Sequence, residues 1–180
     1  MTKQKIDEVC DYYYINNYTI NNDMTVDIDG SVELFDAKLE ELPLNFNRIS
    51  GGFDCDDNFL TSLKGAPKYV GSHFFCSNNR LESLKYSPEY VGYQFYAFQN
   101  KIKTLEYFPE VNSGSIIIDD NPIEEIWWLF RNIDYVRYFN ELDIIQENGE
   151  VVILDRLNYF LTDIGKKEID KDYIKNYKVK

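Results

Sequence analysis

The chain has 180 residues, 44% of them hydrophobic and 28% charged, with a formal net charge of −12. That length and apolar content suit a single domain over 1–180 with a continuous core, and the acidity argues against direct nucleic-acid binding, which needs clustered Lys and Arg against phosphate. No apolar run approaches the ~20 residues that span a bilayer, and Met1-Thr2-Lys3-Gln4-Lys5 does not lead into a signal-peptide core, so a soluble, cytoplasmic protein without a membrane partner is expected.

From the N-terminus, Thr2 is placed to cap a helix from Lys3 to about Tyr14, in which Ile6, Val9, Cys10 and Tyr13 fall on one face. Tyr18 to Ile20 and Thr25 to Ile28 then alternate like strands, and Asp29-Gly30 is a tight-turn dipeptide before Val32. Residues 1–29 thus read as an N-terminal helix and hairpin cap.

The next hundred residues repeat. Asn58, Asn79, Asn100 and Asn121 are 21 apart, as are Cys55, Cys76, Ala97 and Ile118, and Leu63, Leu84, Leu105 and Ile126. A fixed period in this range marks a solenoid, whose coils bury their apolar side only against one another. Within one coil, Phe53 and Cys55 share a strand face and Asp54 points the other way. Asn58 makes the turn, Leu60 and Leu63 face inward, and Pro67, Pro88 and Pro109 stiffen the return toward Val70 and Val91. A weaker first coil places Val32, Leu34, Leu39, Leu42 and Ile49 in the same slots, which makes five coils over 30–126. Stacked asparagines satisfy turn backbone groups, so the ladder Asn58, Asn79, Asn100, Asn121 is assigned a structural role.

The pattern F-x-C-x-x-N-x-L-x-x-L resembles the leucine-rich repeat, with the short repeats of bacterial effector proteins. The form kept from Gly52 to Gly71 is most similar to leucine-rich repeat proteins of tailed bacteriophages. The fold class implied is α+β: a leucine-rich repeat solenoid with a parallel sheet, an N-terminal helix/hairpin cap and a C-terminal α/β cap. By the same resemblance, inhibition of a host enzyme or defence protein in the host cytoplasm is an expected purpose.

After the coils, Asn121-Pro122 reads as a helix N-cap with Pro at the first helical position and Glu124 and Glu125 in the first turn. Ile123, Ile126, Trp127 and Phe130 would close the core. Residues 127–180 form the second cap. In it Asn148-Gly149 signals a hairpin, Asp155 a helix cap, and Leu157, Phe160, Leu161 and Ile164 one helix face. The charged tail holds Tyr173, Ile174 and Tyr177, which can pack back.

The register fixes which residues line the exposed face of the sheet. One ladder is Glu33, Asp54, Phe75, Tyr96, Ile117, and the next is Phe35, Asp56, Ser77, Phe98, Asp119, with Ser31, Gly52, His73, Gln94, Ser115 on the other side. His73, Phe75, Tyr96 and Phe98 therefore form an aromatic cluster flanked by Asp54 and Asp56, with Ile117 beside Tyr96. Clustered aromatics rimmed by charge are what the centres of protein interfaces look like, so a protein partner is expected there. The opposing reading is that the C-terminal segment, or the partner in a homodimer, covers the rings.

Charge suggests the alternative of an acidic DNA mimic that decoys a nucleic-acid-binding enzyme. Against it, formal charge is −6 over 1–50, −1 over 51–111 and −5 over 112–180, so the acid is spread along the chain and the central coils are nearly neutral. Asp54, Asp56 and Asp57 lack the glycine and final glutamate of a calcium loop, and the three cysteines are an odd number with no histidine partner set, so no metal and no cofactor is expected. With one histidine, no phosphate loop and no nucleophile elbow, the sequence also predicts no enzyme.

Overall fold

The 21-residue period winds the chain into a solenoid of parallel sheets of about four turns. The structure is a computed structural model that describes residues 1–180. In order the elements are α1 (Lys3–Tyr12), β1 (Tyr18–Ile20), β2 (Val26–Ile28), β3 (Val32–Glu33), β4 (Phe46–Ile49), β5 (Phe53–Asp54), β6 (Tyr69–Val70) and β7 (Phe74–Phe75). They continue as β8 (Tyr90–Val91), β9 (Phe95–Tyr96), β10 (Glu110–Val111), β11 (Ile116–Ile117), α2 (Glu124–Phe130) and α3 (Val136–Glu141). The chain ends with β12 (Ile145–Gln146), β13 (Val151–Val152), α4 (Leu154–Asp163) and β14 (Lys178–Val179).

Each coil contributes a strand to two sheets. One is the expected ladder sheet, β11-β9-β7-β5-β3, with Val32, Phe53, Phe74, Phe95 and Ile116 in register. The other, β1-β2-β4-β6-β8-β10, forms along the return path, parallel apart from the antiparallel β1–β2 pair. The stretch around Val26 is therefore both a hairpin partner and the first rung of the second sheet.

The interior between the sheets is filled by the repeated slots. Phe53, Phe74 and Phe95 are wholly buried and stack, with ring centroids 5.6 and 6.0 Å apart. The aromatic line continues through Phe108 and Trp127 to Phe130, which meets Phe139 and Phe160. One apolar cluster runs from Ile6 to Tyr177, so the elements at both ends share the core of the coils. Like charges or polar atoms in these slots would be stranded from water. Cys55 and Cys76 fit as small free thiols, which burial pushes well up.

The asparagine ladder closes each turn. Asn79 Oδ1 accepts from the Leu60 N–H at 2.9 Å, while its Nδ2 donates to the carbonyls of Cys55, Cys76 and Ser77. Asn58, Asn100 and Asn121 repeat the arrangement. Asn121 is thereby drawn away from capping: α2 starts at Glu124 and has no side-chain cap, because the side chain of Asn121 is already committed to Ile102 and Ala97. The α2 start instead turns Glu124 back, its Oε2 accepting from the Asp120 N–H at 2.5 Å.

Thr2 does cap α1, with Oγ1 accepting from the Lys5 N–H at 3.2 Å, and Ile6 and Cys10 are the buried face. Asp155 does not cap α4; it sits in the first turn of a helix that begins one residue earlier. The Asn148-Gly149 hairpin pairs β12 with β13, and β14 adds in parallel, so the tail packs back through Ile174 and Tyr177. Tyr173 stays exposed.

Candidate functional site

Alternation along β7 and β9 turns Phe74 and Phe95 inward and Phe75 and Tyr96 outward. The expected ladder is the observed one: Glu33, Asp54, Phe75, Tyr96 and Ile117 are successive register partners. His73 stacks on Phe75 with centroids 4.4 Å apart, and Phe75 stacks on Tyr96 at 4.6 Å. Because each ring covers the next, all three are half-buried rather than fully exposed. Phe98, also half-buried, lies in the neighbouring ladder and has no stacking contact with these rings. Ile117 occupies the edge strand, half-buried beside Tyr96.

Two details hold the rings in place. A Cβ on Gly52 would lie 2.2 Å from the His73 imidazole, so only glycine leaves room for His73 to lie over the preceding coil. The Tyr96 hydroxyl meets Ser115 Oγ at 2.7 Å and accepts from Gln94 Nε2 at 2.8 Å. Tyr96 therefore offers its ring, its hydroxyl being engaged within the face.

Acid borders the stack on the side of the first coils. Asp54 is the register partner of Phe75, and its Oδ1 accepts from the Asp56 N–H at 2.9 Å. Asp56 in turn accepts from the Ser77 N–H at 2.5 Å. Burial pushes the Asp56 carboxyl up to about 7, with Asp54 and Asp57 adding to the effect. Burial also raises Asp54, against a lowering by its own hydrogen bond and by His73. No group of three or more His, Cys, Asp or Glu side chains is arranged to hold a metal ion.

The C-terminal segment does not cover the rings. It packs on the last coil, with the N–H groups of Lys175 and Asn176 donating to Glu125 and the Tyr177 hydroxyl to the Lys103 carbonyl. A surface hollow of about 790 Å³ also lies elsewhere, between Phe108 to Asn112 and the α3 residues Val136, Arg137 and Asn140.

The second sheet carries a surface ladder that the sequence reading passed over. Arg48 lies 3.8 Å over the Tyr69 ring, and Tyr69 stacks on Tyr90 at 4.9 Å. The 21-residue spacing of 48, 69 and 90 was the available signal. Trp128 is exposed beneath Arg131, whereas Trp127 is core.

No protein-family model, no curated protein and no solved structure matches the chain. No helix is long and apolar enough to cross a membrane.

Proposed function

We propose that the chain is a leucine-rich repeat protein with helical and α/β caps at its two ends, and that it works without catalysis by binding a protein on the outer, concave face of the five-stranded sheet. One observation carries this reading. His73, Phe75 and Tyr96 form a stacked, half-buried row on the sheet face, and the C-terminal segment packs on the last coil instead of on these rings. Rigid aromatics lose little entropy on binding, and a carboxylate rim discourages wrong partners, which is how the centre of a specific interface is built. The resemblance of the repeats to phage proteins makes a host enzyme or defence protein the expected target.

The test is capture from a host lysate with wild type and with a Phe75→Ala, Tyr96→Ala, Phe98→Ala variant, each also run on a sizing column. The captured protein is then prepared alone and its affinity measured against both. Loss of affinity in a variant that still folds supports the reading. Equal capture by both, or dimerisation of wild type alone, overturns it. A complex held through the rings survives moderate salt, whereas an acidic decoy of a nucleic-acid-binding enzyme is released by it.

A further inference from the structure

The six-stranded sheet ends in an open edge. β10 is its last strand, and no strand pairs with it on the side away from β8. The N–H groups of Glu110 and Asn112 donate to the Glu89 and Val91 carbonyls at 3.0 Å. Parallel strands direct alternate residues to opposite neighbours, so Val111, between these two, turns its N–H and carbonyl away from β8. Neither group bonds to the segment beyond. An unpaired edge of this kind is a template for one more strand.

The hollow of about 790 Å³ lies on that free side: β10 lines one wall, the 3-10 turn Ile133–Tyr135 and α3 the other, and no residue of β8 reaches it. Register says what would fit there. The outer ladder Arg48, Tyr69, Tyr90 runs on to Glu110, and the inner ladder Ile49, Val70, Val91 runs on to Val111. A residue added beside Glu110 therefore stays on the wet outer face, while one added beside Val111 points inward, toward Phe108 and Val136. Charge on the walls is one-sided. Glu110 and Asp134 are exposed and belong to none of the six ion pairs, whereas Arg137, the one cation of the lining, is already paired with Glu141 at 2.9 Å.

We propose that this edge is a second docking site, which takes an extended segment of a partner protein as a seventh strand, Lys or Arg alternating in that segment with apolar residues. Main-chain hydrogen bonds to Val111 supply the hold, and alternate side chains supply the choice. A cation beside Glu110 makes a cross-strand ion pair, and Asp134 on the facing wall favours the same sign of charge. The apolar residues between the cations fill the hollow against Val111, Phe108 and Val136. An acidic segment is turned away by the walls and by the overall charge of −12. The site does not rest on the concave-face reading, because β10 belongs to the other sheet.

The experiment titrates isotopically labelled protein with three blocked pentapeptides: Lys-Val-Lys-Val-Lys, its Glu-Val-Glu-Val-Glu counterpart, and a fully N-methylated form of the first, which keeps the charge and loses the strand donors. Saturable NMR shifts centred on β10 are expected with the first, and slower hydrogen exchange of the Val111 amide. The other two should leave that amide unmoved. Val111→Pro removes the outward N–H and sets a ring in its place, while the bonds of Glu110 and Asn112 to β8 remain, so the fold is retained. It should weaken the basic peptide by at least about tenfold, and Glu110→Gln by about threefold. Equal shifts with the N-methylated peptide, shifts spread evenly over the exposed carboxylates of the chain, or unchanged affinity in a folded Val111→Pro variant would each overturn the site. If Val111→Pro loses the native amide spectrum, the three peptides on wild type decide alone. A wild type that runs as a dimer, made monomeric by Val111→Pro, gives the edge to a second copy and also overturns the peptide groove. The Phe75→Ala, Tyr96→Ala, Phe98→Ala variant should bind the basic peptide as wild type does, so failure of the concave-face reading leaves this site standing, and failure here leaves that reading untouched.

Discussion

The N–H of Leu60 donates to Oδ1 of Asn79 at 2.9 Å, joining the end of one turn to the asparagine of the next coil. The same amide side chain donates from Nδ2 to Cys55, Cys76 and Ser77, so four buried backbone groups depend on it. Asn79→Ala should cost roughly 2–4 kcal/mol, since the groups left behind have no water to turn to. Asn79→Asp should be at least as harmful at neutral pH, because a carboxylate would face three carbonyl oxygens. Urea unfolding of both variants decides the matter, and an aspartate variant as stable as wild type would refute the donor role.

A second prediction concerns the turn after Leu63, Leu84 and Leu105. Gly65 there has φ +99°, and its repeat partners Tyr86 and Tyr107 have φ of 72° and 60°. Side-chain residues hold a left-handed backbone at a cost of about 1 kcal/mol, which glycine avoids. Tyr86→Gly should therefore raise the melting temperature slightly, while Gly65→Ala should lower it. The new Cβ at Gly65 would also stand 2.6 Å from the Leu44 carbonyl oxygen. If both changes destabilise equally, strain at this turn is not what separates the coils.

The ladder sheet was legible because its period is strict: a constant step of 21 from Phe53 to Phe95 fixes the register without any knowledge of rotamers. The second sheet was not: Tyr69-Val70 and Tyr90-Val91 repeat at the same step, but they follow the prolines of the return path, and the earlier strands Val26–Ile28 and Phe46–Ile49 share no such pair. Its step also shortens at the end, with Tyr90 pairing with Glu110. Asn121 satisfied two local rules at once, and the ladder won because burial makes its four hydrogen bonds obligatory while a helix start can be closed by Glu124. For the candidate site, spacing named the ring positions but not their side-chain directions. Hence the His73–Phe75–Tyr96 row was foreseen as a cluster, the stacking was not, and Phe98 stands apart.

The pH dependence of stability should carry the mark of Asp56. Its carboxyl rises from 3.8 to about 7 on folding, so the folded state holds a proton that the unfolded chain releases between those values. Asp56 thus contributes most below pH 3.8, and its contribution fades as pH climbs to about 7. Asp143, Glu147 and Glu150, paired with Arg156, Lys180 and Lys103, are lowered and act in the opposite sense, losing their contribution as acid protonates them. Asp56→Asn should therefore add roughly 1–2 kcal/mol at pH 8, after allowance for solvent screening. It should add little at pH 4. A gain of the same size at both pH values would show that the carboxyl is not perturbed by folding.

Phe160 tests how far the coils depend on the C-terminal elements. It is fully buried, with ring centroids 5.1 Å from Phe130 and 5.4 Å from Phe139. Truncation to Ala should cost about 3–5 kcal/mol through lost burial and the cavity left behind. Coils of a solenoid touch only their neighbours, so damage at one end should not spread evenly. Hydrogen exchange of the native protein reads this directly. In Phe160→Ala the amides of Ile102 and Ile123, which bond at the last turn, should lose most protection, while Leu39, bonded to Asn58, keeps its own. Tyr177→Phe is the milder control, removing only the hydroxyl that donates to the Lys103 carbonyl, worth about 1 kcal/mol. If every amide from Leu39 to Ile123 loses protection by the same factor, the end elements and the coils unfold as one cooperative unit and the nearest-neighbour picture fails.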